Sequence, residues 1–516
     1  MIARAGGALL DWAVSRRRRA WERATATAIV TQERTLLHLV ARARATAFGR
    51  QHGFDAIRSV ADYQRRVPLR DYLDTKPLLD RTFAGEADVT WPGRPRYWVK
   101  TSGTTAGDKV LPVTSEAFAS HRRGGWDALL LAAERVGGAT LVGGPMLFLG
   151  GCTRLQPMGD GCLVGDLSGL VVRRLPPGLE QRYSPGRVVS AIPDWETRID
   201  AVAALVARQD LRLLSGMPSW MLILFERVAR LAGGERPLGE RWPNLGVFVH
   251  GGVSFAPYHD VFDDRLGRPL ERVEVYPASE GFVALQTERA GGLTLMLDYG
   301  IFYEFVPFED LGAASPRRHT VADVELDRPY AVALSTPAGL WSYLLGDLVR
   351  FTARAPLRLE IIGRTRHFVN AFGENVIVEE VERALVEAGR RSGARVTEFT
   401  VAPHYASAAE TRGRHDWLVE FAEAPAGALD SFTRFLDETL QQLNTDYRIK
   451  RAGDVGMLPP RLIALPAGTF YRWMRARGKL GGQNKVPRVT NDRTIADALL
   501  RAADLAREAA TVPARG

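Results

Sequence analysis

Apolar positions along this chain recur in two rhythms. In "TQERTLLHLVARARATAFGRQHG", Leu36, Leu39 and Val40 follow helical spacing, and residues from about 30 to 95 read as helices with polar connections. "RYWVK" and "VLPVT" read as strands flanking a loop, and "EAFASHRRGGWDALLLAAERV" as the next helix, with Ser115 as its expected cap. "PMLFLGG" and "LGVFVHGG" are short, nearly continuous apolar runs ending in glycines, which suits buried strands with functional loops at their ends. "RIDAVAALVARQDLRLLSG" reads as helix then strand, and "PSWMLILFERVARLAGG" as a helix closed by glycine. Strands alternating with helices predict an α/β architecture. After "LEIIGRTRHFVNAFGENV" the texture changes. An amphipathic helix, "VIVEEVERALVEAG", precedes two strands, "VTEFTVAPHY" and "WLVEFAE". Leu429, Phe432, Leu436, Leu440 and Leu443 then make one helix face. The pattern predicts a large domain over 1–363 and a smaller α+β domain over 364–516. No solenoid repeat or low-complexity linker interrupts it.

At 516 residues the chain is too long for one ordinary core. The apolar fraction of 46% and charged fraction of 25% are those of a globular enzyme. No apolar run approaches the ~20 residues of a membrane span. The arginines of "MIARAGGALLDWAVSRRRRAWERA" follow its apolar part, the reverse of a secretory signal, so a retained helix is expected. Cys152 and Cys162 lack metal or redox spacing, which favours reduced thiols and a cytoplasmic location. The net charge of +9 is spread along the chain. The one tight block, Arg16 to Arg19, reads as a solvated helix face, and nucleic-acid binding is disfavoured. Lysine is rare: only Lys76, Lys100, Lys109, Lys450, Lys479 and Lys485 among 68 basic residues. Four of the six sit in or beside two Gly-rich segments, "KTSGTTAGDK" and "GKLGGQNK".

The first of these segments can cradle phosphate. Gly103 and Gly107 permit N–H groups to turn inward, Thr101, Ser102, Thr104 and Thr105 add hydroxyls, and Lys109 adds charge. It is neither a Walker A loop nor a G-x-G-x-x-G turn. From these residues alone, a polar hairpin and a nucleotide loop stand level.

Other segments extend the pattern. "TSGTTAGDK" resembles the S/T-S-G-T-T-G-x-P-K loop of the adenylate-forming superfamily. "FVHGGVSF", with Gly251, Gly252 and Val253, is similar to the Gly-Gly segment lining the adenine site. "YPASEG", Tyr276 to Gly281, resembles the Y-x-x-T/S-E motif, and "YLLGDLV" the Y-x-x-G-D motif. "IIGRTRHFVNAFGENVIVEEVE" resembles the segment that opens the mobile domain, and "GGQNKVPR" the C-terminal lysine segment. Within that superfamily the chain most resembles the auxin-responsive Gretchen Hagen family of acyl acid–amido synthetases. The strings are "FGRQHGFDAIRSVADYQRRVPLRDY", "FVHGGVSFAPY", "YEFVP", "LLGDLVRF", "LNTDYRIKR" and "GTFYRWMRARGKLGGQNKVPR".

The resemblance implies a large N-terminal domain of α/β subdomains with a β-barrel-like part, and a mobile α+β C-terminal domain. It implies ATP and Mg²⁺ as cofactors, and a carboxylic acid and an amino acid as substrates. Tyr276 is expected on adenine, Ser279 at the α-phosphate and Glu280 at Mg²⁺. Asp347 is expected on the ribose hydroxyls with Arg364 nearby, and Lys109 near the pyrophosphate. Lys485 would bridge the attacking carboxylate and the α-phosphate, a task that suits a slim ammonium. His250 would touch the nucleotide or simply pack. Two positions depart from the superfamily: Arg366 stands where aspartate is usual, and Asn370 where a lysine is usual. A coenzyme A ligase sharing the adenylate step and an inactive nucleotide-binding regulator are the alternatives. Neither the acid, the amine nor an oligomeric state is legible in the sequence.

Overall fold

The computed structural model describes residues 2–101, 109–159, 161–233, 236–252, 255–365, 368–369, 374, 376–404, 413–427, 429–451, 457–480, 485–490 and 492–511. The chain divides into two compact units, one of residues 1–253 with 266–361, the other of 254–265 with 362–516. The short segment 254–265 thus packs with the second unit, although the sequence pattern assigns it to the first.

The first unit is α/β. Two helices open it, Ile2–Ala26 and Ala28–Ala43. An eleven-stranded sheet is its spine. One half is parallel: Tyr183–Ser184, Met146–Leu149, Leu213–Gly216, Val247–Gly251 and Glu271–Pro277, in spatial order. Met146–Leu149 and most of Leu213–Gly216 and Val247–Gly251 are apolar, as suits strands buried within a sheet. The sheet continues through Phe282–Leu285, Leu293–Leu295, Leu357–Arg364, Leu340–Arg354, Pro329–Thr336 and Phe302–Pro307, where antiparallel pairs dominate. Buried Leu285, Leu295, Tyr303, Phe305, Val332 and Phe351 belong to one core that includes this half. A separate four-stranded sheet holds Lys109–Val113, Tyr97–Thr101, Cys162–Gly165 and Gln156–Met158.

The helix Ser115–Val136 connects these parts. Its cap is Thr114, not Ser115: the Thr114 backbone is extended, and its hydroxyl accepts the Ala117 N–H at 3.0 Å. Ser115 already lies inside the first turn. One face, stepped by threes, carries His121, Gly124 and Asp127. A Cβ on Gly124 would lie 2.3 Å from the Phe282 ring, so only glycine lets the helix approach that strand. His121 is buried and hydrogen-bonds the Ser279 backbone. Asp127 is 1% exposed and accepts from Arg17 Nε at 2.7 Å and from the Tyr299 hydroxyl at 2.6 Å. Arg17 also reaches Asp298 through Nη1 and Nη2 at 2.5 and 3.0 Å. The arginine block is therefore not simply a solvated face. Arg17 is embedded between two carboxylates, and Arg18 pairs with Glu134 and Glu288, because the covering helix needs charge partners where it crosses the sheet.

In the second unit, Arg395–His404, Arg414–Glu423 and Arg461–Leu465 form a three-stranded sheet. The helices Val378–Ser392 and Leu429–Leu443 share a core with it. Phe432, Leu436 and Leu440 are fully buried as the spacing predicts. Leu429 is not on that face: it is 39% exposed, where the first turn projects past the core.

Removing Arg17 strands the buried Asp127 carboxylate, which costs ~3–5 kcal/mol, whereas Arg17 without Asp127 still has Asp298. Arg17→Ala is expected to lower the unfolding free energy by that amount in equilibrium denaturation, and Asp127→Ala by less. Burial lowers the His121 pKa to about 4, against the opposing Ser279 hydrogen bond. The unfolded chain then binds more protons between that value and 6.5, so stability falls as pH drops through this window. The full shift is worth about 3 kcal/mol. Urea titrations at pH 7 and pH 4 are expected to show this loss in the wild type and a smaller one in His121→Asn.

Candidate active site

Two glycines prepare the edge of the parallel strands. Gly251 pairs with Val275 on the neighbouring strand, and a Cβ there would sit 2.2 Å from the Val275 carbonyl oxygen. Gly252 has a φ of +88°, the left-handed region that favours glycine. His250 precedes them, buried, with its ring 5.2 Å from that of Phe248. Burial, aided by the charge of Arg272, lowers its pKa to about 3, so it is neutral at ordinary pH. Val253 lies outside the described residues.

The strand Glu271–Pro277 then turns back. Ala278 and Gly281 exchange both backbone hydrogen bonds at 3.2 Å, leaving Ser279 and Glu280 as the two tip residues. Gly281 is small because a Cβ would lie 2.7 Å from Ile301 Cδ1. A register shift between Phe282 and Ala284 follows at once, and such a bulge bends the strand and re-aims its end. Ser279 is 8% exposed and held from below by His121. Glu280 is half-buried.

Asp347 owes its position to a second irregularity. Leu344 pairs with Ala333 and Leu348 with Ala331, so Leu345, Gly346 and Asp347 together face Val332. Gly346 has a φ of +87°. This bulge takes Asp347 out of the ladder, and the Tyr276 hydroxyl donates to its Oδ2 at 2.6 Å. The two strands stand four places apart in the sheet, ~19 Å if it were flat. A direct hydrogen bond therefore requires the sheet to curl toward a barrel, as expected of the β-barrel-like part.

The Gly/Thr loop is fixed at its base. Thr101 and Lys109 pair across the antiparallel strands. The Lys109 ammonium lies 5.1 Å from the centre of the Tyr72 ring, whose hydroxyl accepts the Val110 N–H at 3.3 Å. Ser102, Gly103, Thr104, Thr105 and Gly107 lie outside the described residues.

In the second unit, Arg364 ends the strand Leu357–Arg364. Lys485 is exposed and stands just before a tied segment. Thr400 Oγ1 donates to the Pro487 carbonyl at 2.7 Å, and Val401 N–H to that of Arg488 at 2.9 Å. Arg488 is buried on Glu398, the Tyr258 hydroxyl and the Phe399 ring. Arg395 pairs with Asp264. These two arginines hold 254–265 in this unit. Arg366 and Asn370 lie outside the described residues.

Sequence reasoning passes over His121, Gly124, Tyr72 and Arg488. One signal is visible in hindsight. Two adjacent glycines inside a helix, Gly124 and Gly125, cost stability and signal a close approach. A buried histidine three residues earlier has no comparable mark.

Three family models match the chain: the GH3 family N-terminal domain over residues 17–154, the central domain over 294–364 and the C-terminal domain over 379–494. The indole-3-acetic acid-amido synthetase GH3.8 of Oryza sativa subsp. indica is 24% identical, with 89% of this chain and 87% of that protein covered. The indole-3-acetic acid-amido synthetase GH3.4 of Arabidopsis thaliana is 27% identical over 48% of this chain and 44% of its own. Among solved structures, the GH3.15 acyl acid amido synthetase in complex with 2,4-DB aligns with a TM-score of 0.78 at 17% identity, covering 94% of this chain and 95% of that one. 2-Hydroxyisobutyryl-CoA ligase in its postadenylation state aligns with a TM-score of 0.58 at 16% identity, covering 91% of each chain. At such identities the structural matches concern the fold. The family models, spread from residue 17 to 494, concern the sequence itself, and the chain belongs to the GH3 family.

Proposed function

We propose that this protein is an ATP-dependent acyl acid–amido synthetase. It adenylates a carboxylic acid and passes the acyl group to an amine, an amino acid. The observation that carries this reading is the Tyr276–Asp347 hydrogen bond, which joins two motif residues 71 positions apart at one place. With its hydroxyl held on Asp347, the Tyr276 ring would meet adenine, and the Asp347 carboxylate beside it would accept from a ribose hydroxyl. Gly251 and Gly252, followed by Val253, would bring backbone to the base, and Arg364 would assist at the ribose.

Making an acyl adenylate means carboxylate attack on the α-phosphorus, with pyrophosphate leaving. Charge grows on phosphate oxygens, so the enzyme's work is positioning and electrostatic stabilisation. Ser279 would meet the α-phosphate, with Gly281 setting the turn. Thr101, Ser102, Gly103, Thr104, Thr105 and Lys109 would hold the β- and γ-phosphates. The donor set suits Mg²⁺: one half-buried carboxylate, Glu280, at a hairpin tip offers a hard oxygen ligand, the rest coming from ATP and water. The ion would shield the departing pyrophosphate. Lys485 would bridge the acid and the α-phosphate. Free Cys152 and Cys162 fit a cytoplasmic location. Among the described residues no helix is long and apolar enough to cross a membrane.

Lys485→Ala is expected to reduce acid-dependent pyrophosphate exchange by ~10²–10³-fold while ATP binding, read by calorimetry, persists. Exchange at the wild-type rate would remove Lys485 from the reacting centre. Glu280→Ala is expected to raise the Mg²⁺ concentration for half-maximal exchange, and an unchanged magnesium curve would count against its role. Amide rather than thioester, when amino acids or coenzyme A are supplied with the best acid, separates the synthetase from a coenzyme A ligase.

A further inference from the structure

The adenylation chemistry leaves one group of charges unused, at the carboxyl ends of two parallel strands. From Met146–Leu149 the main sheet continues to Tyr183–Ser184 on one side; from Leu213–Gly216 it continues to Val247–Gly251 on the other. Adjacent parallel strands whose connections depart in opposite directions open a crevice, and ligands of open α/β sheets bind in it. Glycines border it. Gly216 pairs with Leu149, and a Cβ there would stand 3.0 Å from the Leu149 carbonyl oxygen. A Cβ on Gly151 would lie 2.2 Å from Asp166 Oδ2. The Asp166 carboxylate therefore lies directly against the backbone that ends the first strand.

Asp166 occupies the N-cap place of the short helix Leu167–Val172, yet its side chain accepts no N–H of that helix. It accepts the Cys152 N–H instead, at 2.8 Å, and stays partly exposed. Burial raises its pKa, opposed by that N–H and by the charges of Arg198 and Lys100. Arg198 is 4% exposed, with Nη1 on the Ile192 carbonyl at 2.7 Å, and its Nε has no hydrogen-bond partner among the described residues. Lys100 is one of the six lysines and lies on the strand Tyr97–Thr101, where Val99 pairs with Gly165 beside Asp166. Its half-buried ammonium makes no hydrogen bond or ion pair among the described residues.

The acid substrate carries a carboxylate that must reach phosphate, and a second carboxylate repels it. The acceptor arrives as an ammonium. If it is an amino acid it also carries a carboxylate one carbon away. A carboxylate with a neighbouring unpaired ammonium matches that zwitterion in both signs. We propose that Asp166 and Lys100 form the acceptor subsite, Asp166 taking the α-ammonium and Lys100 the α-carboxylate of an amino acid. The assignment rests on the synthetase reading above.

The test uses the full chain as wild type, Asp166→Asn and Lys100→Met, each checked for a native melting profile. Pyrophosphate exchange reports the first half-reaction, and amide formation against amino acid concentration reports the second. Asp166→Asn is expected to raise the KM for the amino acid about tenfold or more, as loss of a charge-assisted hydrogen bond does, with exchange little changed. Lys100→Met is expected to raise the KM for the amino acid but not for the amine lacking its carboxylate, so the preference between them collapses. An unchanged KM in both variants, or exchange lost in parallel with amide formation, overturns the subsite. No exchange by the wild type with any acid defeats the synthetase reading instead. Calorimetric titration with the common amino acids then decides the subsite: heat in the wild type and none in the variants sustains it, and absent or unchanged heat overturns it.

Discussion

The hydrogen bond from Tyr276 to Asp347 constrains more of this protein than any other contact. It joins strands that a flat sheet would hold far apart, so it exists only if the sheet curls. The curl depends on two irregularities, the shift after Phe282 and the three-residue bulge at Leu345 to Asp347. Each costs ladder hydrogen bonds, and the core of Leu285, Leu295, Tyr303, Phe305 and Phe351 offsets that cost. The same bulge that bends the sheet also aims the aspartate, so architecture and site are one construction.

Around that bond the molecule favours rigid, uncharged support beneath a charged surface. His121 under the Ser279–Glu280 turn and His250 beside Gly251 are both held neutral by burial. Lys109 and Lys485, the two lysines of the proposed reaction, carry formal charges instead. Both are anchored through the chain next to them: Lys109 by its strand pair and the Tyr72 ring, Lys485 by the tied segment that ends on Arg488.

The covering helix Ser115–Val136 shows how packing and ion pairing combine. Gly124 lets it touch Phe282, and His121 fixes the turn beyond. Asp127 ties the helix to Arg17 and Tyr299. The N-terminal helix thus helps to hold the helix Ser115–Val136, through Arg17 on Asp127.

The sequence by itself determined the α/β alternation, the apolar strands ending in glycine, the helix bearing Phe432, Leu436 and Leu440, and the family. Those are local properties: a hydrophobic period or a spaced motif survives in one dimension. Ser115 was misread because a Thr-Ser pair offers two caps, and only the backbone angles decide between them. The tertiary structure alone decided what depends on distant residues meeting. It put His121 under Ser279, seated Arg17 between two carboxylates, moved 254–265 into the second unit, and set Asp166 beside Lys100. None of these has a period or a spacing, because each is fixed by the register and curl of a sheet whose strands come from widely separated stretches of the chain.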